Sequence, residues 1–538
     1  MKSIQQFLQK PWLYIFIVLF GISLKFYHLN YRFFWYDEIC TIQHTSGIEL
    51  YKYDNMIPIN EIANIKEYKS LIHLTSLNQS IGSQLKGLFT STNLTPGHYP
   101  FLMIWYRIVG DEPLDYRLFS VFVFVLTLPF LFLLAKNMFE SDHAGWIAIS
   151  LFSVSPMFQY YAQEARYMIL MTFFIIVLHY LFLKASQINK KKWWVGYCII
   201  GALSLYTSVL SGIVVTGHLI YVWIFNRENG VKLSIPALII LFIYLPWIVT
   251  MLKNNDEILF ALSWQTQILS DQSLLDPIIQ QMAGFNKTFN YIGANAGLRA
   301  LFIEHKYLDF IPKIMMEVIG ITVIIISIVY SLKRLPRKIS YFLVLIFIPP
   351  IIFFYIVDMA RNSCTSILWR YHTITFSTLI LFMTFWLSNK MLKARISYAL
   401  VFIGLISIGI TSILEITKGR FFWVFGCETA ANSAILFSKA HSPLVITDYS
   451  VGSYRGVGGF IMVLNECNSE TIDILPVSPD TEDIDSLISG TEYSEIYVAY
   501  ASPKLVSNCK SQFGERMDSL EIEGISPMWQ IKSANPEQ

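Results

Sequence analysis

The sequence predicts a polytopic α-helical membrane protein of about eleven transmembrane helices, with a small α/β domain outside the membrane. Three observations predict it. Only 14% of the 538 residues are charged while 54% are hydrophobic, whereas a soluble chain carries about 25% charged residues. Apolar runs of about 20 residues recur many times, the length that crosses a bilayer. Beyond residue 414 the chain changes character, with short β-like runs alternating with polar, helix-like segments. The net charge of +2 gives no reason to expect a nucleic-acid partner.

Hydropathy places the spans at 11–29, 118–135, 144–157, 168–183, 195–207, 210–226, 236–252, 314–331, 340–357, 372–389 and 396–414. Residues 1–10 are mildly basic, and the apolar run after them lacks a small-residue cleavage site. That run is therefore expected to be a retained first helix rather than a signal peptide. Between 195 and 226 the only punctuation is Tyr206-Thr207-Ser208, so one long broken hairpin is the alternative to two spans.

The short loops set the orientation. Lys184, Lys190, Lys191 and Lys192 share one, Arg227 and Lys232 the next on that side, then Lys333, Arg334, Arg337 and Lys338, then Lys390, Lys393 and Arg395. All fall on the side of the N-terminus, which the positive-inside rule makes cytoplasmic. The membrane domain is then 1–414, with outer loops 30–117 and 253–313, and the outer domain is 415–538.

Within the first outer loop, 70–77 and 81–89 read as short helices lying on the membrane surface. The second contains Gly284, Gly293 and Gly297 and reads as a lid. In the tail, 444–447, 471–475 and 495–499 are the strand candidates. Cys427, Cys467 and Cys509 share the outer domain, so one disulfide is possible there, with the pairing open.

The chemistry concentrates at the outer rim. Asp37 and Glu38 follow the aromatic cluster Phe33-Phe34-Trp35-Tyr36 just past the first span. Their ordinary reading is an interfacial aromatic belt followed by solvated carboxylates. Three arginines break the charge rule for short outer loops. Arg166 lies in Gln159-Tyr160-Tyr161-Ala162-Gln163-Glu164-Ala165-Arg166-Tyr167, Arg117 opens the second span, and Arg370-Tyr371 opens the tenth. Each stands at the N-terminal end of a helix, where the dipole disfavours a cation. An anion repays that placement, either Glu38 or Glu164 or a phosphate, which guanidinium binds bidentately. The plain alternative is snorkelling to lipid headgroups. Three arginines on the same side as an acidic pair favour a site.

Other patterns carry less. Asp483-Ile484-Asp485 sits in an acidic surface run and reads as solvated, and Glu304-His305 is too small a set for a metal. No GxxxxGK[ST] pattern occurs, which leaves ATP hydrolysis without a motif. Asn78-Gln79-Ser80, Asn93-Leu94-Thr95 and Asn286-Lys287-Thr288 fit the short glycosylation sequon.

Four blocks resemble the GT-C membrane glycosyltransferases, specifically the group of protein O-mannosyltransferases, lipid A aminoarabinose transferases and RgtA/B/C/D-like bacterial enzymes. They are Trp35-Tyr36-Asp37-Glu38, then His98-Tyr99-Pro100 with Arg117-Leu118-Phe119-Ser120, then Tyr161 through Tyr167, and Arg370-Tyr371. Tyr99 stands where the family usually has proline. The blocks cover roughly the first 400 residues, in family order, and the outer tail has no part in the match.

The resemblance implies a GT-C fold and an inverting transfer, of a hexose or pentose, from a polyprenyl-phosphate-linked donor to an acceptor at the outer face. It implies Asp37 as the base taking the acceptor's proton, with Glu38 orienting it or pairing with Arg117. Arg117, Glu164, Arg166, Tyr167, Arg370, Tyr371 and His98 would then bind the donor phosphate and substrate. Such a donor needs no activating metal, although related enzymes can bind a divalent one. The expected partners are the lipid-linked donor, membrane lipid, and an envelope glycan, lipid or protein acceptor, in a bacterial inner or plasma membrane. The rival readings are a secondary transporter, which would place its charges near the midplane rather than the rim, and a non-enzymatic assembly factor whose tail binds a partner.

Overall fold

The structure is a computed structural model that describes residues 11–48, 58–89, 95–261, 276–289, 311–363, 365–391, 427–449, 470–490, 492–521 and 527–532, with isolated positions between them. It comprises two compact units, one of Met1–Leu29, Thr92–His98 and Arg117–Lys418, the other of Asn30–Ser91, Tyr99–Tyr116 and Gly419–Gln538.

The first unit is helical. In order it contains Pro11–Phe26, Pro113–Phe139 (which begins in the other unit), Asp142–Val154, Pro156–Ala162, Met168–Ile188, Lys191–Thr207, Ser211–Phe225, Gly230–Lys253, Asn255–Ala261, Asp276–Lys287, Ile311–Arg334, Arg337–Arg361 and Thr373–Met391. Among the described residues four helices are long and apolar enough to cross a membrane, and Pro11–Phe26 and Ser211–Phe225 are shorter apolar helices. The break at Ser208 separates two helices rather than kinking one hairpin. The predicted span at 396–414 falls largely outside the described residues.

Burial ranks these helices. The most apolar window of Met168–Ile188 is 78% buried, against 17% for Ser234–Lys253, so the former is central and the latter faces outward. Leu238, Phe242 and Leu252 lie on that outward face. In water such a surface would be a liability; in a bilayer it is the lipid contact.

The spans are less charge-free than the sequence suggests. Lys25 is fully buried. Its Nζ donates to the Ser153 carbonyl at 2.9 Å and to Gln159 Oε1 at 2.6 Å, and it lies 4.7 Å above the Phe124 ring. A buried ammonium needs such acceptors for its protons. The carbonyls at the end of Pro11–Phe26 are closed from the same direction. Gln159 Nε2 donates to Leu24, and Gln163 Nε2 donates to Lys25 and Tyr27, satisfying groups a helix end leaves open. Glu317, on Ile311–Arg334, is a second fully buried charge.

The second unit is built on a six-stranded sheet ordered β1-β3-β2-β4-β6-β5. Its strands are β1 Ala63–Asn64, β2 Pro443–Asp448, β3 Asp473–Val477, β4 Glu495–Val498, β5 Met517–Leu520 and β6 Met528–Ile531. The middle strands are parallel, as βαβ connections require, and β1, β5 and β6 pair antiparallel. Leu444, Ile446, Leu475, Val477 and Val498 pack with Leu505, Cys509 and Phe513 in its core.

Strand β1 comes from the first outer loop. Ala63 pairs with Ile474, Asn64 Nδ2 donates to Asp473 Oδ1 at 2.9 Å, and Lys66 meets Glu470 at 2.8 Å. The predicted helix at 70–77 is displaced. The helix is Ile65–Ser70, capped by the Asn64 side chain, and the following residues turn. Thr75 donates both N–H and Oγ to Asp111 Oδ2, which holds the turn. Cys467 and Cys509 are buried free thiols, so neither forms the disulfide left open for the outer domain.

Candidate active site

The acidic pair opens the helix Tyr36–Ser46, with Asp37 and Glu38 in its first turn. Carboxylates are favoured there by the helix dipole. Glu38 is 1% exposed, and its Oε2 accepts from the Trp35 N–H at 3.4 Å, closing the helix start; Asp37 is half-buried. The helix ends at Gly47, whose φ of +69° is the left-handed turn glycine adopts cheaply. It packs on Ile81–Leu88 and Tyr99–Val109, a helix absent from the sequence reading, and His44 stacks on Tyr99 at 5.5 Å. Glu38 thus serves the local helix, and Asp37 is the more open carboxylate.

The remaining predicted residues belong to the helical unit. Arg117 is 2% exposed, and its Nη1 donates to the Leu29 carbonyl at 2.9 Å. One face of this guanidinium therefore anchors the chain beyond the first helix. One turn on, Ser120 Oγ donates to the Glu164 carbonyl at 2.6 Å, tying that helix to the turn between Pro156–Ala162 and Met168–Ile188. His98 is buried with its ring edge-on to Phe119. Burial pushes its pKa down to about 3, so it is a neutral imidazole at physiological pH.

Glu164, Arg166, Tyr167, Arg370 and Tyr371 converge. Glu164 accepts a long hydrogen bond from Tyr160 Oη at 3.4 Å. Its carboxylate, Tyr371, Tyr167 and Tyr161 all act electrostatically on Arg370. Tyr167 feels Tyr371, Arg166, Arg370 and Glu164, and burial together with Tyr371 and Glu164 raises its phenol pKa above the ordinary value. Two guanidiniums and one carboxylate thus share this neighbourhood, and guanidinium is the group that meets oxyanions bidentately.

Arg370 is presented by the 3-10 turn Trp369–His372 immediately ahead of Thr373–Met391. Asp358 builds this presentation, because its Oδ1 accepts from Thr365 N at 2.6 Å and Ser363 Oγ at 2.9 Å, and its Oδ2 from Ser366 N at 2.8 Å. His372 then bonds the Ser366 carbonyl at 3.0 Å, and Tyr371 stacks on Phe354. Burial depresses His372 to about 4 against the smaller opposing pull of Ser366 and Asp358.

Comparison with known proteins turns on the fold. The structure aligns with ArnT from Cupriavidus metallidurans bound to undecaprenyl phosphate over 96% of this chain and 97% of that one, at 11% identity and a TM-score of 0.52. The apo oligosaccharyltransferase of Archaeoglobus fulgidus aligns over 90% of this chain and 69% of its own, at 12% identity and a TM-score of 0.48. The family model for dolichyl-phosphate-mannose-protein mannosyltransferase matches residues 94–252. No curated protein matches the chain in sequence.

The chain shares the fold of ArnT.

The match at 94–252 spans His98, Arg117, Glu164, Arg166 and Tyr167. Sequence reasoning missed Ser120, Asp358 and Lys25 as residues that shape the site's surroundings. Lys25 was visible as a charge inside an apolar run; Asp358 carried no signal, since a carboxylate at a span edge is ordinary. Among the described residues no three His, Cys, Asp or Glu side chains converge to hold a metal. Asp483 caps Ile484–Ile488 and Asp485 meets Arg516 at 3.3 Å, which accounts for the DxD as surface structure. Glu304-His305 lies outside the described residues, as do Gly293 and Gly297.

Proposed function

We propose that this protein is an inverting GT-C glycosyltransferase acting at the outer face of a bacterial envelope membrane. It moves one sugar, hexose or pentose, from a polyprenyl-phosphate-linked donor to a glycan, lipid or protein acceptor. The observation that carries the proposal is the convergence of Arg166 and Arg370 on Glu164 and Tyr167. These arginines precede two separate helices, and guanidinium is the group that binds a phosphate bidentately. The family match over 94–252 and the likeness to a structure that holds undecaprenyl phosphate support the same donor class.

In the proposed reaction an acceptor hydroxyl attacks the anomeric carbon from the face opposite the phosphate. The bond from that carbon to the phosphate oxygen breaks, and its electron pair leaves with the lipid phosphate. Asp37 accepts the hydroxyl proton, general-base help that contributes about 10²–10⁴-fold. Arg166 and Arg370, joined by the buried Arg117, stabilise the charge that grows on the leaving phosphate; donors already in place need no reorganisation during the reaction. The donor phosphate is singly linked and its charge is met by guanidinium, so the residues supply this chemistry without a required cofactor.

The test uses purified protein in liposomes supplied with radiolabelled polyprenyl-phosphate sugars and envelope extracts as acceptor. Transfer of label with inverted anomeric configuration, and release of polyprenyl phosphate, is the expected result. Movement of free sugar across the bilayer without any transfer would replace this reading with transport.

A further inference from the structure

Resting on the proposed phosphate site, we infer that Lys25 is a positioning residue, whose buried ammonium holds in place the segment that carries Glu164 and Arg166. Lys25 lies in the last turn of Pro11–Phe26 and is fully buried. Its partners among the described residues are all neutral: the Ser153 carbonyl, Gln159 Oε1 and the face of Phe124. A lysine is almost never buried so completely without a carboxylate. Two helix ends take the carboxylate's place. Ser153 is in the last turn of Asp142–Val154, where open carbonyls and the dipole favour a cation, and Lys25 stands at the same end of its own helix.

The two acceptors lie on either side of the break at Ser155, which separates Asp142–Val154 from Pro156–Ala162. One ammonium donating to both sets the spacing across that break, which a neutral apolar side chain of similar length could not do. Gly21, one turn before Lys25, allows the reach. A methyl group there would stand 2.5 Å from Ser153 Cβ, so the two helices meet this closely only over a glycine.

From Lys25 the hydrogen bonds run on towards Arg166. Gln159 is held at both ends of its amide, its oxygen accepting from Lys25 and its Nε2 donating to the Leu24 carbonyl at 2.6 Å. Gln163, one turn later, donates to the carbonyls of Lys25 at 3.1 Å and Tyr27 at 2.7 Å. Residues four apart share a helix face, so this face of the segment lies on the end of the first helix. Glu164 follows directly, its carbonyl accepting from Ser120 Oγ at 2.6 Å and from the Arg166 N–H at 2.8 Å. A bidentate guanidinium contact has to be held to within about 0.5 Å. Lys25 needs no contact with substrate; it acts through Arg166.

A double-mutant cycle in the full-length protein tests this, read as binding of radiolabelled polyprenyl phosphate in detergent. Wild type, Lys25→Met, Arg166→Ala and the pair are compared. The expected result is a loss of about tenfold for Lys25→Met, within the range of couplings carried between packed residues. The pair should bind as Arg166→Ala alone does, because an absent arginine has no position to lose. A lysine serving only helix packing would lower the melting temperature and leave affinity unchanged, or its effect would multiply with that of Arg166→Ala. Either result would overturn the inference and leave the proposed function standing.

A second variant guards against misfolding, since Lys25→Met strands two acceptors. Gln163→Met keeps the ammonium with both of them and removes the amide bonds to the first helix. It should give a loss of the same kind, again absent when Arg166 is alanine, and an unchanged or multiplying affinity would count against the inference equally. A wild type that does not bind polyprenyl phosphate, or an Arg166→Ala that binds it as wild type does, would remove the proposed phosphate site and the inference with it.

Discussion

Arg166 and Arg370 are far apart in sequence, yet both act on Tyr167, and Glu164 acts on it with them. Arg370→Ala should weaken binding of polyprenyl phosphate by about 10–100-fold, the effect of losing charge-assisted hydrogen bonds of about 1.5–3 kcal/mol. Arg370→Lys should recover only part of it, since an ammonium lacks the planar fork. Binding of labelled lipid by the purified protein measures this, and unchanged affinity in Arg370→Ala would make the arginine structural.

The buried histidines give a pH signature. His98 and His372 are held neutral, with values near 3 and 4, while an unfolded chain protonates them below about 6.5. Unfolding therefore takes up protons, and stability falls as pH drops from about 6.5 towards 4, by about 2 kcal/mol per histidine at pH 5. A melting temperature that falls from pH 7 to 5, and falls less in His372→Gln, is the expected observation.

The arginines stood out in the sequence because each opens an apolar helix, where the dipole disfavours a cation. Lys25 was visible as a charge in an apolar run, but its role was not, because a lysine in the last turn of a helix is the ordinary snorkelling case. Only the packing of Ser153 and Gln159 shows that it turns inward.

Among the elements, the 3-10 turn that carries Arg370 depends on Asp358, which terminates three hydrogen bonds from the segment before it. Asp358→Ala leaves the Thr365 and Ser366 N–H groups without that acceptor, at a cost of about 1–3 kcal/mol for each that stays buried and unpaired. It should lower the melting temperature and weaken lipid binding together, with Asp358→Asn intermediate because one acceptor oxygen survives. Loss of stability with undiminished lipid binding would separate the turn from the site.

Strand β1 is the second element with a consequence. Asn64 caps Ile65–Ser70 and bonds Asp473 across the sheet edge. Replacing a cap of this kind costs about 0.5–2 kcal/mol. Asn64→Ala should therefore increase protease cleavage within the first outer loop, which limited proteolysis reads directly. The sequence could not show β1, because two residues carry no period, nor the turn at 71–79, because Asp111 imposes it from outside the segment.

For the whole molecule, the membrane helices were legible because lipid enforces the same composition on every span. Ends differed by a few residues where polar loops continue a helix, as in Pro113–Phe139 against the predicted 118–135. Domain membership was less legible. The sequence reading placed the outer domain at 415–538, whereas the second compact unit also draws in Asn30–Ser91 and Tyr99–Tyr116. Pairing between segments so distant in sequence leaves no local pattern. One result of that arrangement is that the unit holding the C-terminal sheet is also the unit holding Asp37 and Glu38.

The central claim is that Asp37 is the base of a lipid-linked glycosyl transfer. Membranes carrying wild type or Asp37→Asn at equal expression, given radiolabelled polyprenyl-phosphate sugars and envelope acceptors, test it most directly. The substitution keeps the shape and removes the base. Transfer by the wild type and a fall of about 10²–10⁴-fold in the variant is the expected result. Equal transfer by the two would contradict it, and the assignment of the acidic pair would fall with it.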